Sequence, residues 1–276
     1  MSFSNSLKLF EIIHIHIQIN SDFRICEENW KKFECVAEKP KQIKPKIRIN
    51  IQELYENISY GVETYNVEFS SDMVISRLNS DMMLSDKDGS EFVIFPICKI
   101  DNLQAFLIQA FYTHAVQRHM IQFHSSLIDY QGHGLMFLGP SGIGKTTQAE
   151  LWNKYRDALI INGDIVFVQE TEEAFLGWGT PWHGSSPYCE NTNVPVEALI
   201  ILKQAPENSI RKLEGFEKVT AVSNSVFYPR WLENGMELCL ETLDHLLSKI
   251  PVYELSCRPD EEAVELTEKT IFGREN

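Results

Sequence analysis

The segment GLMFLGPSGIGKTTQAELW, residues 134–152, constrains the fold of this chain more than any other. It connects a short apolar run to a helix-forming stretch through a loop that satisfies the pattern G-x-x-x-x-G-K-[ST]. In this pattern the glycines let backbone N–H groups converge on a phosphate at the N-terminus of the following helix. We therefore predict a strand, a phosphate-binding loop and a helix, with ATP or another nucleoside triphosphate as the ligand.

Nine consecutive residues form the predicted nucleotide site. They are Gly139, Pro140, Ser141, Gly142, Ile143, Gly144, Lys145, Thr146 and Thr147. The Lys145 ammonium would add positive charge at the terminal phosphates, and the Thr146 hydroxyl would help to hold Mg²⁺. The alternative is a glycine-rich turn with a structural role only. The apolar run before the loop and the helix-forming stretch after it favour phosphate binding.

A loop of this kind needs an acidic residue to hold the metal, and LIINGDIVFV supplies Asp164 after an apolar stretch. We predict that Thr146 and Asp164 hold Mg²⁺ together. The alternative is that Asn162-Gly163-Asp164 is a plain turn between strands. His124 is a further candidate, because the strand predicted to carry it lies beside the strand that leads into the loop. Its alternative role is that of a core or edge histidine.

The first hundred residues show the two-residue alternation that is typical of half-buried strands. IIHIHIQIN sets isoleucines against His14 and His16, and Asp88-Gly89 is placed for a hairpin turn. For the two histidines a polar strand face is favoured over a metal site. From Asp101 the apolar spacing becomes helical. We predict an α/β fold with a β-rich module over residues 1–100 and a domain that contains the loop over residues 101–276.

Composition narrows the classes of partner. The formal net charge of -14 disfavours nucleic acid and anionic membranes, because most of the surface would repel phosphate. No apolar stretch approaches the roughly 20 residues of a membrane span. The six cysteines show neither zinc-type spacing nor the density of a disulfide scaffold. We expect a globular cytoplasmic protein whose phosphate site is a local positive pocket.

FHSSLIDYQGHGLMFLGPSGIGKTTQAELW, followed by NGDIVFV, resembles the catalytic domain of HPr kinase/phosphorylase, a P-loop kinase that phosphorylates a protein serine. That family has the same order of a histidine on a strand, a turn, a P-loop, a helix and an acidic strand end. Its relatives include PEP-carboxykinase-like folds and small kinases that phosphorylate a serine of ribosomally made lasso-type peptides. The resemblance covers residues 101 to roughly 270 and implies a mixed-sheet P-loop kinase core of the HPr kinase/PEP carboxykinase type.

By this resemblance His124 matches the family's histidine near the phosphate site, and Lys145 and Thr146 match the loop lysine and the metal-binding hydroxyl residue. Asp164 matches an acidic position. The family has two adjacent aspartates there, whereas this chain has Gly163 before Asp164. Either Asp164 is both the base and a metal ligand, or His124 takes part in the proton transfer.

Two later positions also follow from the resemblance. The family's acidic and arginine signature is replaced here by PWHGSS, with His183 in the basic place. Arg258 loosely matches an arginine that would neutralise charge on the transferred phosphoryl group, with Arg211 as a weaker rival. For both arginines the alternative is a solvated surface position.

The resemblance implies an ATP- and Mg²⁺-dependent kinase that acts on a serine hydroxyl of a protein or precursor peptide. The β-rich module would recognise this acceptor. One alternative is a kinase for a small molecule similar to free serine, and another is a nucleotide-binding regulatory protein without catalysis. A carboxykinase-like reaction is disfavoured, because its additional metal ligands are not evident. A homo-oligomer, a dimer and a monomer all stay open, although HPr kinases form hexamers.

Overall fold

The computed structural model describes residues 7–20, 28–35, 43–51, 66–69, 72–79, 81–95 and 100–273. Within these ranges the chain is a mixed α/β protein with two mixed β-sheets. Contacts divide it into a first unit, Met1–Gln117 with Pro229–Met236, and a second unit, Arg118–Tyr228 with Glu237–Asn276. The boundary predicted near residue 100 thus falls inside the first unit. No described helix is long and apolar enough to cross a membrane.

The first unit contains one seven-stranded sheet and one long helix. Its elements are β1 (Leu7–Ile12), β2 (Ile15–Asn20), β3 (Ile47–Ile51), β4 (Asn66–Phe69), β5 (Met73–Leu78), β6 (Asp81–Asp86), β7 (Glu91–Phe95) and α1 (Ile100–Ala115). The strand order is β1-β2-β3-β7-β6-β5-β4. β3 runs parallel to both of its neighbours, whereas the other pairs are antiparallel. α1 packs against β2 and β7.

The alternating run near the N-terminus is partly a turn. Ile13 and His14 both have positive φ, at 46° and 59°, and they connect β1 to β2. The prediction that the strand pattern includes Ile13 and His14 is wrong, since the preceding residues LKLFEI form the partner strand and bury Phe10 and Ile12. The alternation holds from Ile15 onward.

The predicted hairpin at Asp88-Gly89 is present between β6 and β7. Gly89 has a φ of +62°, and a Cβ atom there would lie 2.6 Å from Thr113 Cγ2 on α1. The His114 ring also bonds to the Gly89 carbonyl, at 2.6 Å. Glycine is therefore needed both for the turn and for close packing of the helix.

The second unit contains a nine-stranded sheet with helices. Its elements are β8 (Met120–Tyr130), β9 (His133–Leu138), α2 (Lys145–Arg156), β10 (Leu159–Asn162), β11 (Ile165–Glu170), β12 (Phe175–Trp178), β13 (Asn193–Gln204), β14 (Ser209–Leu213), α3 (Gly215–Ser223), β15 (Val226–Phe227), α4 (Gly235–Lys249), β16 (Val252–Cys257) and α5 (Glu261–Phe272). The first two residues of α4 group with the first unit. The predicted strands and helix on either side of the loop are present as β8, β9 and α2.

The pairing of β9 positions the loop that follows it. β9 is antiparallel to β8 and parallel to β13, and β13 is parallel to β16. Leu138, the last residue of β9, lies opposite Ser125 on one side and Ile201 on the other. Residues 139–144 therefore emerge beside His124 at the edge where β13 and β16 also end.

A buried cluster fixes α2 and α5 on one face of this sheet. Trp152 and Ala149 of α2 pack with Phe137 of β9, Ile200 of β13 and Val264 of α5, and each is fully buried. Burying large apolar side chains is the main favourable term in folding. The helix that follows the loop is thus held firmly against the strand that precedes it.

Candidate functional site

The connection from β9 to α2, which we call the glycine loop (residues 139–144), has the backbone of an anion site. Gly139, Gly142 and Gly144 have φ values of +141°, +78° and +115°. No atom lies within 4 Å of a Cβ built on Gly142 or Gly144, so space is open beside them. Gly144 caps α2 without any side-chain bond to its first N–H groups. Those N–H groups and the helix dipole are available to an anion.

The Lys145 side chain folds back toward the start of the glycine loop. Its Nζ atom donates to the carbonyls of Gly139, at 3.1 Å, and Pro140, at 3.3 Å. Only 6% of the residue is exposed. Burial lowers the pKa of Lys145, and the nearby charge of Asp164 opposes that shift. The chain therefore holds a desolvated cation at the end of the loop where residues 139 and 140 lie.

Thr146, Asp164 and His124 lie together beside this cation. Thr146 Oγ1 donates to the carbonyl of Gly163 at 3.4 Å, which places the hydroxyl next to Asp164. His124 Nε2 lies 3.0 Å from Asp164 Oδ1, and about a quarter of each side chain is exposed. A threonine hydroxyl and a carboxylate are the oxygen ligands that Mg²⁺ takes from proteins in phosphate sites, with the remaining positions filled by water and phosphate. The donor set fits Mg²⁺.

Asn162 organises the turn that carries Asp164, a role that the sequence analysis did not assign. Its fully buried amide donates to the carbonyls of Thr180 and Trp182, at 3.0 and 3.2 Å. Its Oδ1 accepts from the backbone N–H groups of Asp164 and Ile165, at 2.9 and 3.1 Å. The motif Asn-Gly-Asp gave a signal for a turn of this kind, but only the fold shows that it ties together two distant segments.

The segment around PWHGSS lies directly against Asp164. Gly184 has a φ of +58°, and a Cβ atom there would lie 2.5 Å from Asp164 Oδ2. A Cβ atom on Gly163 would overlap the side chain of Ser186. The His183 ring is bonded to the carbonyl of Ser186. The two glycines thus allow the segment around PWHGSS to pack closely against Asp164. A second carboxylate beside Asp164 would prevent this packing.

The two arginines considered from the sequence are both in ion pairs. Arg258 bonds to Asp260 at 2.9 Å and to Glu262 at 2.8 Å, and about half of its side chain is exposed. Arg211 bonds to Glu217 and Glu254, at 2.5 and 2.9 Å. The described contacts of neither arginine include Asp164 or His124. The structure thus brings together Lys145, Thr146, Asp164 and His124, and leaves the arginines apart.

Two cavities flank the glycine loop. The α5 cavity has a volume of about 340 Å³ and is lined by Gly144, Thr147, Gln148, Cys257 and Arg258, among others. The α3 cavity has a volume of about 840 Å³ and adjoins the loop at Gly139, Pro140 and Ile143. Both volumes fall within the range of small-ligand sites, roughly 300–1,000 Å³.

A separate group of metal-ligand side chains lies in the first unit. Glu11, His16 and Cys35 place ligand atoms within 4.8 Å of one another, and no other such group of three occurs among the described residues. Burial and the charges of Glu11 and Glu34 raise the pKa of Cys35. Because metals bind the thiolate, this shift disfavours metal binding by this group.

Comparison with known proteins gives one family and one structural likeness. A sequence model of the family described as SynChlorMet cassette protein ScmC matches residues 98–271, which is more than half of the chain. No curated protein matches the chain. Among solved structures, the chain is similar to the HPr(Ser) kinase/phosphatase from Coxiella burnetii, at 11% identity and a TM-score of 0.34. That match covers 55% of this chain and 97% of the other.

Proposed function

This chain belongs to the ScmC family of SynChlorMet cassette proteins, and we propose that it is an ATP- and Mg²⁺-dependent kinase for a serine hydroxyl of a protein or ribosomally made peptide. The observation that carries the proposal is the convergence of Lys145, Thr146, Asp164 and His124 at one end of the glycine loop. A cation, a hydroxyl, a carboxylate and a proton-accepting ring are the groups that phosphoryl transfer uses.

In the proposed mechanism the chain positions groups and neutralises charge, since phosphoryl transfer requires little covalent work from the protein. Lys145 attracts the terminal phosphates, and Thr146 and Asp164 are the residues that would hold Mg²⁺. Mg²⁺ bound there would neutralise charge on the β- and γ-phosphates. The incoming serine hydroxyl gives its proton to Asp164 or His124 while its oxygen bonds to the γ-phosphorus and the bond from that phosphorus to the ADP oxygen breaks. Because these two side chains are 3.0 Å apart, they can share that proton, which offsets the absence of a second aspartate.

The position of the Lys145 ammonium indicates how the proposed nucleotide is oriented along the loop. Its ammonium lies near the carbonyls of Gly139 and Pro140, so the terminal phosphates belong at this end of the loop. The nucleoside then lies toward Thr147 and the α5 cavity. Arg258 lines this cavity, and its proposed role is therefore on the nucleoside side of the phosphates.

A second candidate function, nucleotide binding without catalysis, is favoured by the position of Gly163. The HPr kinase family has an aspartate there, and in this chain Ser186 fills the space that a side chain would need. Such a protein would bind MgATP and transfer no phosphate.

Titration calorimetry of MgATP followed by mass spectrometry with serine-containing peptides from neighbouring genes tests the proposal. Wild type is expected to bind MgATP and to add a phosphate to a peptide, and Lys145→Ala is expected to do neither. Lys154→Ala is the matched control, because Lys154 lies on the exposed face of the same helix. Binding of MgATP by wild type with no gain of phosphate on any peptide would support the non-catalytic candidate instead.

A further inference from the structure

We infer that the α3 cavity is the acceptor site, and that it binds an uncharged apolar side chain next to the serine that receives the phosphate. This inference rests on the proposed kinase function and gives the acceptor a chemical class. The cavity has a volume of about 840 Å³, which is larger than one side chain requires and suits a short peptide segment.

The position of the cavity relative to the glycine loop is the first step. Its wall includes Gly139 and Pro140, whose carbonyls accept from the buried Lys145 ammonium. The α5 cavity instead adjoins Gly144 and Thr147, at the other end of the loop. Since Lys145 marks the end where the terminal phosphates belong, the α3 cavity lies at the reacting end and the α5 cavity at the nucleoside end.

The cavity also adjoins the strand that carries the proposed base. Ser225 lines it, and the Ser225 carbonyl accepts from the backbone N–H of His124 at 2.8 Å. One side of the cavity is therefore the start of the glycine loop, and another is the residue paired with His124. A hydroxyl presented from this cavity would therefore lie near the end of the loop marked by Lys145 and near the strand that carries His124.

The lining selects for an apolar occupant. The apolar residues that line it include Ile143, Ile201, Leu213, Phe216 and Ala221. The occupant excludes water from these surfaces most favourably when it is itself apolar. Phe216, on the first turn of α3, is 84% exposed, more than any other large apolar residue described. An exposed aromatic ring beside an apolar cavity provides a surface for a binding partner.

The charged groups at the cavity are neutralised by one another. Glu254 accepts from Lys203 at 2.5 Å and from Arg211 at 2.9 Å, and Arg211 also bonds to Glu217. Three of these four residues line the cavity, and the chain of ion pairs has two charges of each sign. The wall thus offers no uncompensated charge to an ionic ligand, which disfavours nucleotide phosphates and charged acceptor residues in this cavity.

Binding of two labelled peptides tests the inference without requiring turnover. Both peptides have the same length and one central serine, which is flanked by Phe and Leu in one and by Asn and Gln in the other. Fluorescence anisotropy is measured with Mg²⁺ and a non-hydrolysable ATP analogue present. Wild type is expected to bind the apolar peptide about tenfold more tightly than the polar one.

Three variants locate the binding. Phe216→Ala removes the exposed ring, and Thr220→Trp fills the cavity from the exposed face of α3. Each variant is expected to weaken binding of the apolar peptide about fivefold or more. The affinity for the nucleotide analogue should stay unchanged in both. Val219→Ala is the matched control, since Val219 is on the same helix, is 43% exposed and lies outside the cavity lining. The inference would be overturned if wild type bound the two peptides equally well, if it bound neither peptide, or if neither Phe216→Ala nor Thr220→Trp weakened binding. A loss of nucleotide affinity in Phe216→Ala would assign the cavity to the nucleoside instead.

The same samples with ATP separate this inference from the proposed function. If the apolar peptide binds through Phe216 and gains no phosphate, the kinase proposal fails while the cavity remains a peptide site. If both peptides gain phosphate at equal rates in wild type and Phe216→Ala, the kinase proposal stands and the acceptor site lies elsewhere.

Discussion

Lys145 is a buried cation that the protein maintains at a cost to its own stability. The residue is only 6% exposed, and its ammonium donates to two carbonyls of the glycine loop. Burying a charge costs free energy, so an apolar side chain of similar length should leave the protein as stable or make it more stable. We therefore attribute the burial of Lys145 to the proposed phosphate ligand and not to the needs of the fold.

We predict that Lys145→Met abolishes MgATP binding while the free energy of unfolding stays unchanged or rises by up to about 1 kcal/mol. Urea unfolding and calorimetry measure the two quantities on the same samples. A severe loss of stability together with unchanged MgATP affinity would show that Lys145 has a structural role.

The difference in stability between Lys145→Met and wild type should depend on pH. Burial lowers the native pKa of Lys145 below the usual lysine value of 10.5. Between the native value and 10.5 the unfolded chain binds more protons, so the free energy of unfolding of wild type rises with pH through that window. The advantage of Lys145→Met is thus largest near neutral pH and shrinks toward 10.5. An advantage that grows with pH would contradict the assignment.

Asp164 is predicted to be needed for turnover more than for binding. Asp164→Asn keeps the shape of the side chain and removes its charge, so proton transfer and metal holding should fail while Lys145 still attracts the phosphates. We expect turnover to fall by about a hundredfold or more, with a modest loss of MgATP affinity. Glu197→Gln, on β13 and paired with His133, is the control and should behave as wild type.

The sequence identified four residues that the structure brings together, but not the contacts that position them. The glycine loop, Lys145 and Thr146 form a local pattern, and Asp164 follows a recognisable strand. The contribution of Asn162 depends on Thr180 and Trp182, which are 18 and 20 residues away in the chain. Contacts of this length leave no periodic signal in a single sequence.

At the scale of elements, the segment from Thr180 to Ser186 holds Asp164 in place. It contacts the turn between β10 and β11 through Asn162, and it approaches the carboxylate at Gly184. Its sequence, with proline, glycine and serine, predicts only a loop. Its function in positioning the carboxylate is visible from the fold alone.

Gly184→Ala tests this packing against a control with the same backbone strain. Gly184 and Gly273 have φ values of +58° and +64°, but only at Gly184 would a new Cβ meet another group, Asp164 Oδ2. Both alanine variants should lose about 1 kcal/mol or more of stability from the positive φ. Only Gly184→Ala should also lower turnover, by about tenfold, because it displaces Asp164. Equal turnover in the two variants would rule out close contact between Gly184 and Asp164.

The elements themselves were predicted unevenly. β8, β9 and α2 follow from the apolar stretches before the glycine loop and the helix-forming stretch after it. The hairpin turn at Ile13-His14 was missed because it lacks the Asn-Gly or Asp-Gly pair that usually marks such a turn. Pairing of β1 with β2 and burial of Phe10 outweigh the energetic cost of positive φ at Ile13 and His14.

At the scale of the whole molecule, we propose that the first unit binds a further segment of the acceptor, separate from the serine and its neighbour that the α3 cavity would receive. β1 and β4 are the edges of its sheet as described, and an extended peptide can add to an exposed edge. Phe69 on β4 is 60% exposed. The exposed ring would offer an apolar contact to a strand added at this edge.

We predict that Phe69→Asp raises the KM for a peptide acceptor several-fold and leaves the KM for ATP unchanged. Leu159→Asp is the control, since Leu159 is 48% exposed on β10, an edge strand of the second unit. Unchanged peptide KM in Phe69→Asp, or an equal change in both variants, would argue against recognition at β4.

The most direct test of the central claim is to map phosphate on serine-containing peptides from neighbouring genes by fragmentation mass spectrometry, after incubation with MgATP and either wild type or Asp164→Asn. The kinase account predicts that wild type places one phosphate on a single serine and that Asp164→Asn places almost none in the same time. MgATP binding by both proteins without phosphate on any peptide would contradict it.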